Sequence, residues 1–259
     1  MGIINVTPDS FYDGGRTTIL RDVIAQAEKM MRHGATFLDI GGYSSRPGST
    51  HISEEEELSR VVPTIEALSK EFPEAYLSID TFRSKVALNA IAAGAGLVND
   101  ISGGSLDDGM FTTVAKLGVP YILMHLKGTP QSMNTHAQYQ NITKEVLYYF
   151  SEKIAKARAA GINDIIADPG FGFSKTPEHN FELLQHLELF KSLETPYLVG
   201  ISRKSTIYKT LNTSPEEALN GTTVLNTVAL LKGASILRVH DVKEAVECVT
   251  LLHAMNNTD

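Results

Sequence analysis

The 259-residue sequence is poor in cysteine, in positive charge and in long apolar runs. Its single cysteine, Cys248, excludes an internal disulfide and points to a reducing compartment, so a cytoplasmic location is expected. Lys and Arg number 23 against 30 Asp and Glu, a net charge of −7. A nucleic-acid partner, which needs a basic face, is therefore not expected. No apolar run approaches the ~20 residues of a membrane span, and no basic stretch followed by an apolar one marks a signal peptide. There is no GxGxxG, no phosphate-binding Walker loop and no nucleophile elbow. His33, His51, His136, His179, His186 and His253 lack ligand spacing, which argues against zinc. What the chain does have is 42% hydrophobic residues, enough for a large core without metal or disulfide staples. No linker, low-complexity tract or break in composition divides it, so a single domain over residues 1–259 is expected.

A short β-rich run, a polar loop and an amphipathic helical stretch recur along the sequence. The predicted strands are Gly2–Val6, Thr36–Ile40, Tyr76–Ile79, Gly96–Asn99, Pro120–Met124, Asp164–Ala167, Pro196–Gly200 and Ser235–Val239. Apolar residues fill each run without clean alternation, as in parallel strands covered on both faces. Helix starts are signalled by Ser53 with Glu56, by Thr176-Pro177-Glu178 and by Ser214-Pro215-Glu216-Glu217. Glycines 34, 94, 118, 161 and 233 stand where helices should stop before the next strand. Eight such units predict an α/β fold, a (β/α)8 TIM barrel, ahead of a doubly wound open sheet. Glu54–Glu57 is expected as a solvated first helical turn.

Nearly every predicted strand runs into polar residues at its C-terminal end: Asn5 and Asp9, Asp39, Asp80, Asn99 and Asp100, His125, Asp168, then Ser202-Arg203-Lys204, and Arg238 with His240. In a parallel barrel these ends meet on one face, where active sites are built. Asp80, Asn99 and Asp168 suit a flat heterocycle with amide and amine edges. Arg238 and His240 lie on one side of the last strand, near the usual phosphate position of the fold, and concentrate positive charge locally in an acidic protein. Loops 7–15, 41–50 and 170–176 are rich in Gly, Pro, Ser and Thr and are candidates to close over a reacting centre.

At these strand ends the sequence resembles the dihydropteroate synthase family. The resemblance is carried by Gly2-Ile3-Ile4-Asn5-Val6-Thr7-Pro8-Asp9-Ser10-Phe11, by Asp39-Ile40-Gly41-Gly42-Tyr43-Ser44-Ser45-Arg46-Pro47-Gly48 and by Ser78-Ile79-Asp80-Thr81. It continues through Asn99-Asp100-Ile101-Ser102-Gly103-Gly104, Met124-His125-Leu126-Lys127-Gly128-Thr129-Pro130 and Asp168-Pro169-Gly170-Phe171-Gly172-Phe173, and ends in Gly200-Ile201-Ser202-Arg203-Lys204-Ser205 and Arg238-Val239-His240-Asp241. The motifs keep the family's order and span the whole chain.

The resemblance implies a transferase of folate biosynthesis. It would join 6-hydroxymethyl-7,8-dihydropterin diphosphate to p-aminobenzoate, releasing pyrophosphate, by an SN1-like displacement. By similarity Asp80, Asn99, Asp168, Lys204, Met124 and Ile101 would hold the pterin, and Asn5, Arg238 and His240 the diphosphate. Asn5 would help ligate Mg²⁺. Ser45, Arg46, Pro47, Phe173 and Ser202 would shape the p-aminobenzoate pocket, and Asp9 and Arg46 would join Asp80, Lys204, Arg238 and His240 in catalysis. Sulfonamides are expected as inhibitors, and a homodimer is expected from the family alone. The family commonly has Glu where this chain has Tyr43 and Thr where it has Ser45; the missing methyl is expected to spare activity but alter sulfonamide binding. Family members usually carry a hairpin ahead of the first strand, so a truncated start with an uncovered barrel floor is expected. The alternatives are a methyltransferase on the same pterin-binding barrel and a paralogue that binds pterins without turnover.

Overall fold

A computed structural model describes residues 1–6, 16–45 and 50–256, the side chains of 16–19, 134 and 256 excepted. Strands and helices alternate along the described chain. The first half runs β1 (Gly2–Asn5), α1 (Arg16–Arg32), β2 (Phe37–Gly41), α2 (Glu54–Glu71), β3 (Tyr76–Asp80), α3 (Ser84–Ala92), β4 (Leu97–Asp100) and α4 (Met110–Leu117). The second runs β5 (Tyr121–Met124), α5 (Ile142–Ala159), β6 (Ile165–Asp168), α6 (Pro177–Gln185), β7 (Leu198–Val199), α7 (Ser205–Thr210), α8 (Leu219–Leu231), β8 (Ile236–Leu237) and α9 (Val242–Asn256).

Strands β1 to β6 pair in parallel in chain order, and β7 pairs with β8. Two parallel bridges close the ring. Ala167 bridges Tyr197, with Ala167 N–H donating to the Pro196 carbonyl at 2.9 Å. Gly2 bridges Val239, with Ile3 N–H on the Val239 carbonyl at 3.0 Å and Val239 N–H on the Met1 carbonyl at 2.9 Å. That closure makes the eight-stranded barrel and leaves no edge, so the open doubly wound sheet is excluded.

Alternation along the strands divides the core. Ile4, Ile40, Ile79, Val98, Leu123, Ala167 and Val199 belong to the main core between strands and helices. Leu97, Ile122, Ile166 and Leu198 form a separate cluster inside the N-terminal end of the barrel, with Met1, Phe37 and Ile236 packed on it. The polar strand ends lie at the opposite end.

The helix signals hold with two corrections. Glycines 34, 94, 118, 161 and 233 all adopt positive φ where the sequence placed helix stops. Thr176 forms a reciprocal capping box, its hydroxyl accepting from His179 N–H and its own N–H donating to His179 Nδ1. Ser53 caps α2, accepting from Glu56 N–H at 3.1 Å, but the Glu56 carboxylate is taken by Arg60 instead of returning to the cap. Ser214–Glu217 does not open a helix: it is a turn, and α8 begins at Leu219. Arg203 explains the difference, since its Nη1 takes the carbonyls of Pro215 and Glu216 and holds the segment as a turn.

Candidate active site

The period of two brings Asn5, Asp80, Asn99, Met124, Asp168 and Arg238 to the inner side of the barrel mouth and sends their polar neighbours outward. Asp100 turns away: its carboxylate accepts from Ser102 N–H, Gly104 N–H and the Tyr121 hydroxyl, and so fixes the loop after β4. His125 also turns away, packing edge-on against Tyr149.

The centre of the mouth is a charge bridge. Arg238 Nε donates to Asp39 Oδ2 at 2.6 Å, and its Nη2 donates to Asp80 Oδ2 at 2.6 Å. Asp39 is fully buried and also accepts from the Ser78 hydroxyl at 2.6 Å and from Asn99 Nδ2 at 2.9 Å. Burial pushes the Asp80 carboxyl up from its ordinary range; Arg238 opposes the shift, and the neighbouring carboxylates add to it. The two acids raise the Arg238 guanidinium in turn, outweighing the effect of its burial.

Lys204 follows β7 and enters from the other side. Its ammonium donates to the Phe171 carbonyl and lies 4.6 Å from the centroid of the Phe173 ring. Burial lowers it to about 8, against the pull of Asp168 and Asp80. Asp168 accepts from Gly170 N–H at 2.8 Å; burial raises its carboxyl, with Lys204 opposing. Two glycines keep this space open. A Cβ on Gly41 would lie 3.7 Å from both Asn5 Oδ1 and Asp80 Oδ2, and one on Gly200 would lie 3.9 Å from Lys204 Nζ and 3.8 Å from Arg238 Cβ. Ile101, Met124, Leu126 and Met133, with Phe82 and Phe173 against them, form an apolar wall beside these charges.

The loop after β6 is held from beneath by a lysine the sequence did not single out. Lys175 Nζ donates to the carbonyls of Gly170 and Phe173, each at 3.0 Å, and shares a hydrogen bond with His125 Nδ1 at 2.9 Å. Burial holds both His125 and Lys175 well below their ordinary values, and the neighbouring lysines add to the shift of each. The backbone packs tightly here: a Cβ on Gly170 (φ +70°) would fall 2.3 Å from the His125 carbonyl oxygen.

Ser202 is buried, and its hydroxyl accepts from His240 N–H at 3.2 Å, while His240 itself is exposed. Arg203, at φ 53°, pairs with Asp241 through Nε and Nη2 and belongs to the framework, not the mouth. At the base of the loop after β2, the Tyr43 hydroxyl accepts from Gln131 Nε2 and meets His51 Nδ1 at 3.2 Å. Ser45 is half-buried beyond it. Asp9, Arg46 and Pro47 lie outside the described residues.

Glu57 corrects the expectation of a wholly solvated helical turn. It is fully buried and paired with Arg83 at 2.6 Å, and its Oε1 finds no hydrogen-bond partner among the described residues. Arg83 also donates to the Ser53 and Ile52 carbonyls and lies over the Tyr43 and Phe82 rings. Only the position of Glu57 as the fourth of four glutamates, facing inward from the helix, could have marked it in the sequence.

A closed parallel barrel with acids, an amide and two buried cations around an apolar wall defines a small-molecule enzyme with its site at the C-terminal mouth. Residues 1–240 match the pterin binding enzyme family. The chain is 44% identical to the dihydropteroate synthase of Escherichia coli K12 over 256 residues, 98% of this chain and 90% of that protein. Among solved structures, the dihydropteroate synthase of Xanthomonas albilineans with 4-aminobenzoic acid superposes with a TM-score of 0.93 at 40% identity, covering 100% of this chain and 93% of that one. The Yersinia pestis enzyme in a sulfonamide drug complex gives 0.93 at 42% identity, covering 99% and 94%. The chain belongs to the dihydropteroate synthase family, transferases of folate biosynthesis.

Proposed function

We propose that this mouth joins 6-hydroxymethyl-7,8-dihydropterin diphosphate to p-aminobenzoate, forming 7,8-dihydropteroate and pyrophosphate. The observation that carries the reading is the convergence of Asp80, Asn99, Asp168, Lys204 and Arg238 on one space bounded by Ile101, Met124 and Phe173. The acids and the amide match the polar edges of a pterin, and the apolar wall matches its flat face. Arg238, with His240 and Asn5, receives the diphosphate. Ser45, Arg46, Pro47, Phe173 and Ser202 receive p-aminobenzoate.

The bond from the exocyclic methylene carbon to the diphosphate oxygen breaks first, because the electron-rich dihydropterin stabilises a cation at that carbon. Asp80, as an anion near the ring, offsets that positive charge. Arg238 and His240 offset the negative charge gathering on pyrophosphate. The uncharged aniline nitrogen of p-aminobenzoate then supplies the electron pair for the new C–N bond and loses a proton to solvent. By the family resemblance, the loops around Asp9 and Arg46 would exclude water from the cation and order the amine.

The residues also fit Mg²⁺. Asn5 offers a hard amide oxygen into the space between Gly41 and Asp80, and among the described residues no cage of three acidic or histidine ligands surrounds it. A single protein oxygen suits an ion that takes its other ligands from phosphates and water. When bound there, Mg²⁺ would neutralise charge on the diphosphate.

A homodimer is consistent with the exposed apolar residues Val224 and Leu231 on α8 and Val249, Leu251 and Met255 on α9. Among the described residues no helix is long and apolar enough to cross a membrane; a cytoplasmic location is part of the proposed reading. Sulfonamides, as mimics of p-aminobenzoate, are the expected inhibitors.

The test is pyrophosphate release from the pterin diphosphate with Mg²⁺. Release that requires p-aminobenzoate and matches dihydropteroate formed one for one supports the reading. Binding without turnover would favour a pterin-binding protein, and methyl transfer from a methylated folate would favour the methyltransferase. A normal secondary isotope effect from deuterium on the exocyclic methylene would support the dissociative step.

A further inference from the structure

Asp39 touches two residues of the proposed site and is buried too deeply to touch a ligand itself. It lies mid-barrel on β2 and gathers donors from three other strand regions: the Ser78 hydroxyl, Asn99 Nδ2 and Arg238 Nε. An ionised carboxylate only accepts hydrogen bonds. It therefore forces the Asn99 amide to turn its NH2 inward, so that the Asn99 carbonyl oxygen is the end left for the mouth. It also takes Arg238 by Nε, the donor nearest the backbone, rather than by the tip. The tip reaches Asp80 through Nη2, and Nη1 donates to no described residue. The guanidinium is thus gripped at one end and offers the other.

We propose that Asp39 is a positioning residue that sets two ligand-facing groups at once. It fixes Asn99 as an acceptor, which selects a ligand with an N–H edge, and it holds Arg238 as a pivot. When an anionic ligand enters, the Arg238–Asp39 bond stays and Nη2 passes from Asp80 to the anion. That exchange frees the Asp80 carboxylate at the moment a pterin is bound. The inference rests on the pterin diphosphate reading of the site, and its test uses binding so that the two can fail separately.

The test titrates inorganic pyrophosphate, and separately 6-hydroxymethylpterin, into the whole protein by calorimetry. Asp39→Asn is expected to weaken both by about tenfold or more, the loss of one charged hydrogen bond's worth of placement. For pyrophosphate, Asp39→Asn with Arg238→Gln should bind no worse than Arg238→Gln alone, because Asp39 acts through that arginine. Losses that multiply in the double variant would overturn the proposal, as would a D39N protein that binds both probes normally.

A second measurement uses the unaltered chain and needs no variant to fold. With ¹⁵N-arginine labelling, the Arg238 Nε–H signal, identified by its loss in R238Q, should stay protected from exchange before and after pyrophosphate saturation. Loss of that protection on binding would show that Arg238 leaves Asp39, and the pivot would be wrong. If the chain binds both probes as expected but forms no dihydropteroate, the catalytic reading fails while the positioning role stands.

Discussion

Arg238 Nη2 lies 2.6 Å from Asp80 Oδ2, so the last strand and the third are joined by a charge pair across the barrel mouth. The same arginine holds the fully buried Asp39. Replacing it with glutamine strands two carboxylates in a poorly solvated space. Arg238→Gln is expected to cost about 3–5 kcal/mol of stability, read as a lower thermal midpoint. It should also cut kcat/KM for the pterin diphosphate by about 100-fold, the loss of a charged partner to the leaving group. A variant that melts and turns over like the parent would refute both parts.

The pH profile follows from Asp80 and Lys204. Asp80 is raised by burial to about 7, and it is needed as an anion, so activity falls as pH drops through that value. Lys204 is lowered by burial to about 8, and it is needed as a cation against Asp168, so activity falls as pH rises through that value. The expected profile of kcat/KM is a narrow bell. Lys204→Arg, which stays charged, should remove the alkaline limb while lowering the plateau. A flat profile between pH 5 and 9 would show that neither group governs the reaction in the free enzyme.

Gly170 adopts φ +70° with the His125 carbonyl where a side chain would begin. Gly170→Ala must move either the loop that carries Phe171 and Phe173 or the end of β5. The expected cost is about 1–3 kcal/mol from backbone strain, together with a higher KM for both substrates, since Phe171 also receives Lys204. Crystals or spectra of the variant showing an unmoved loop, with unchanged KM, would count against this.

The pair formed by Glu57 and Arg83 supports the site from outside the mouth. Arg83→Met keeps much of the bulk but leaves a buried carboxylate unpaired. About 3 kcal/mol of stability should be lost, measured by urea unfolding. Combining it with Glu57→Gln should restore most of that loss; an additive double variant would mean that the two residues act separately.

Ser45 has a hydroxyl but lacks the methyl of threonine. Ser45→Thr should leave turnover near the parent value and change sulfonamide inhibition constants. Constants that do not move would show that the methyl is irrelevant to inhibitor binding in this chain.

The barrel was readable in the sequence because both signals that specify it are local. Apolar runs mark strands buried on both faces, and glycines 34, 94, 118, 161 and 233 end helices through a backbone conformation other residues avoid. Ser214–Glu217 shows the limit: its local signals favour a helix, but Arg203, 12 residues before Pro215 and so outside the capping window, binds the carbonyls and makes a turn. Asp80, Asn99, Asp168, Lys204 and Arg238 were legible as site residues because polar side chains cluster at the C-terminal ends of the strands and the motifs there match a family.

Their division of labour was not legible. In sequence Asp39 and Asp80 are both acids on parallel strands, yet one is sealed beneath the site and the other opens into it. Asp100 and His125 sit beside Asn99 and Met124 and face the opposite way. The sequence by itself determined the order of strands, the composition of the mouth and the family. Tertiary structure alone decided which carboxylate is sealed beneath Arg238 and which meets it at the mouth, because that depends on barrel closure, on the stagger between strands and on how deeply each charge is withdrawn from water.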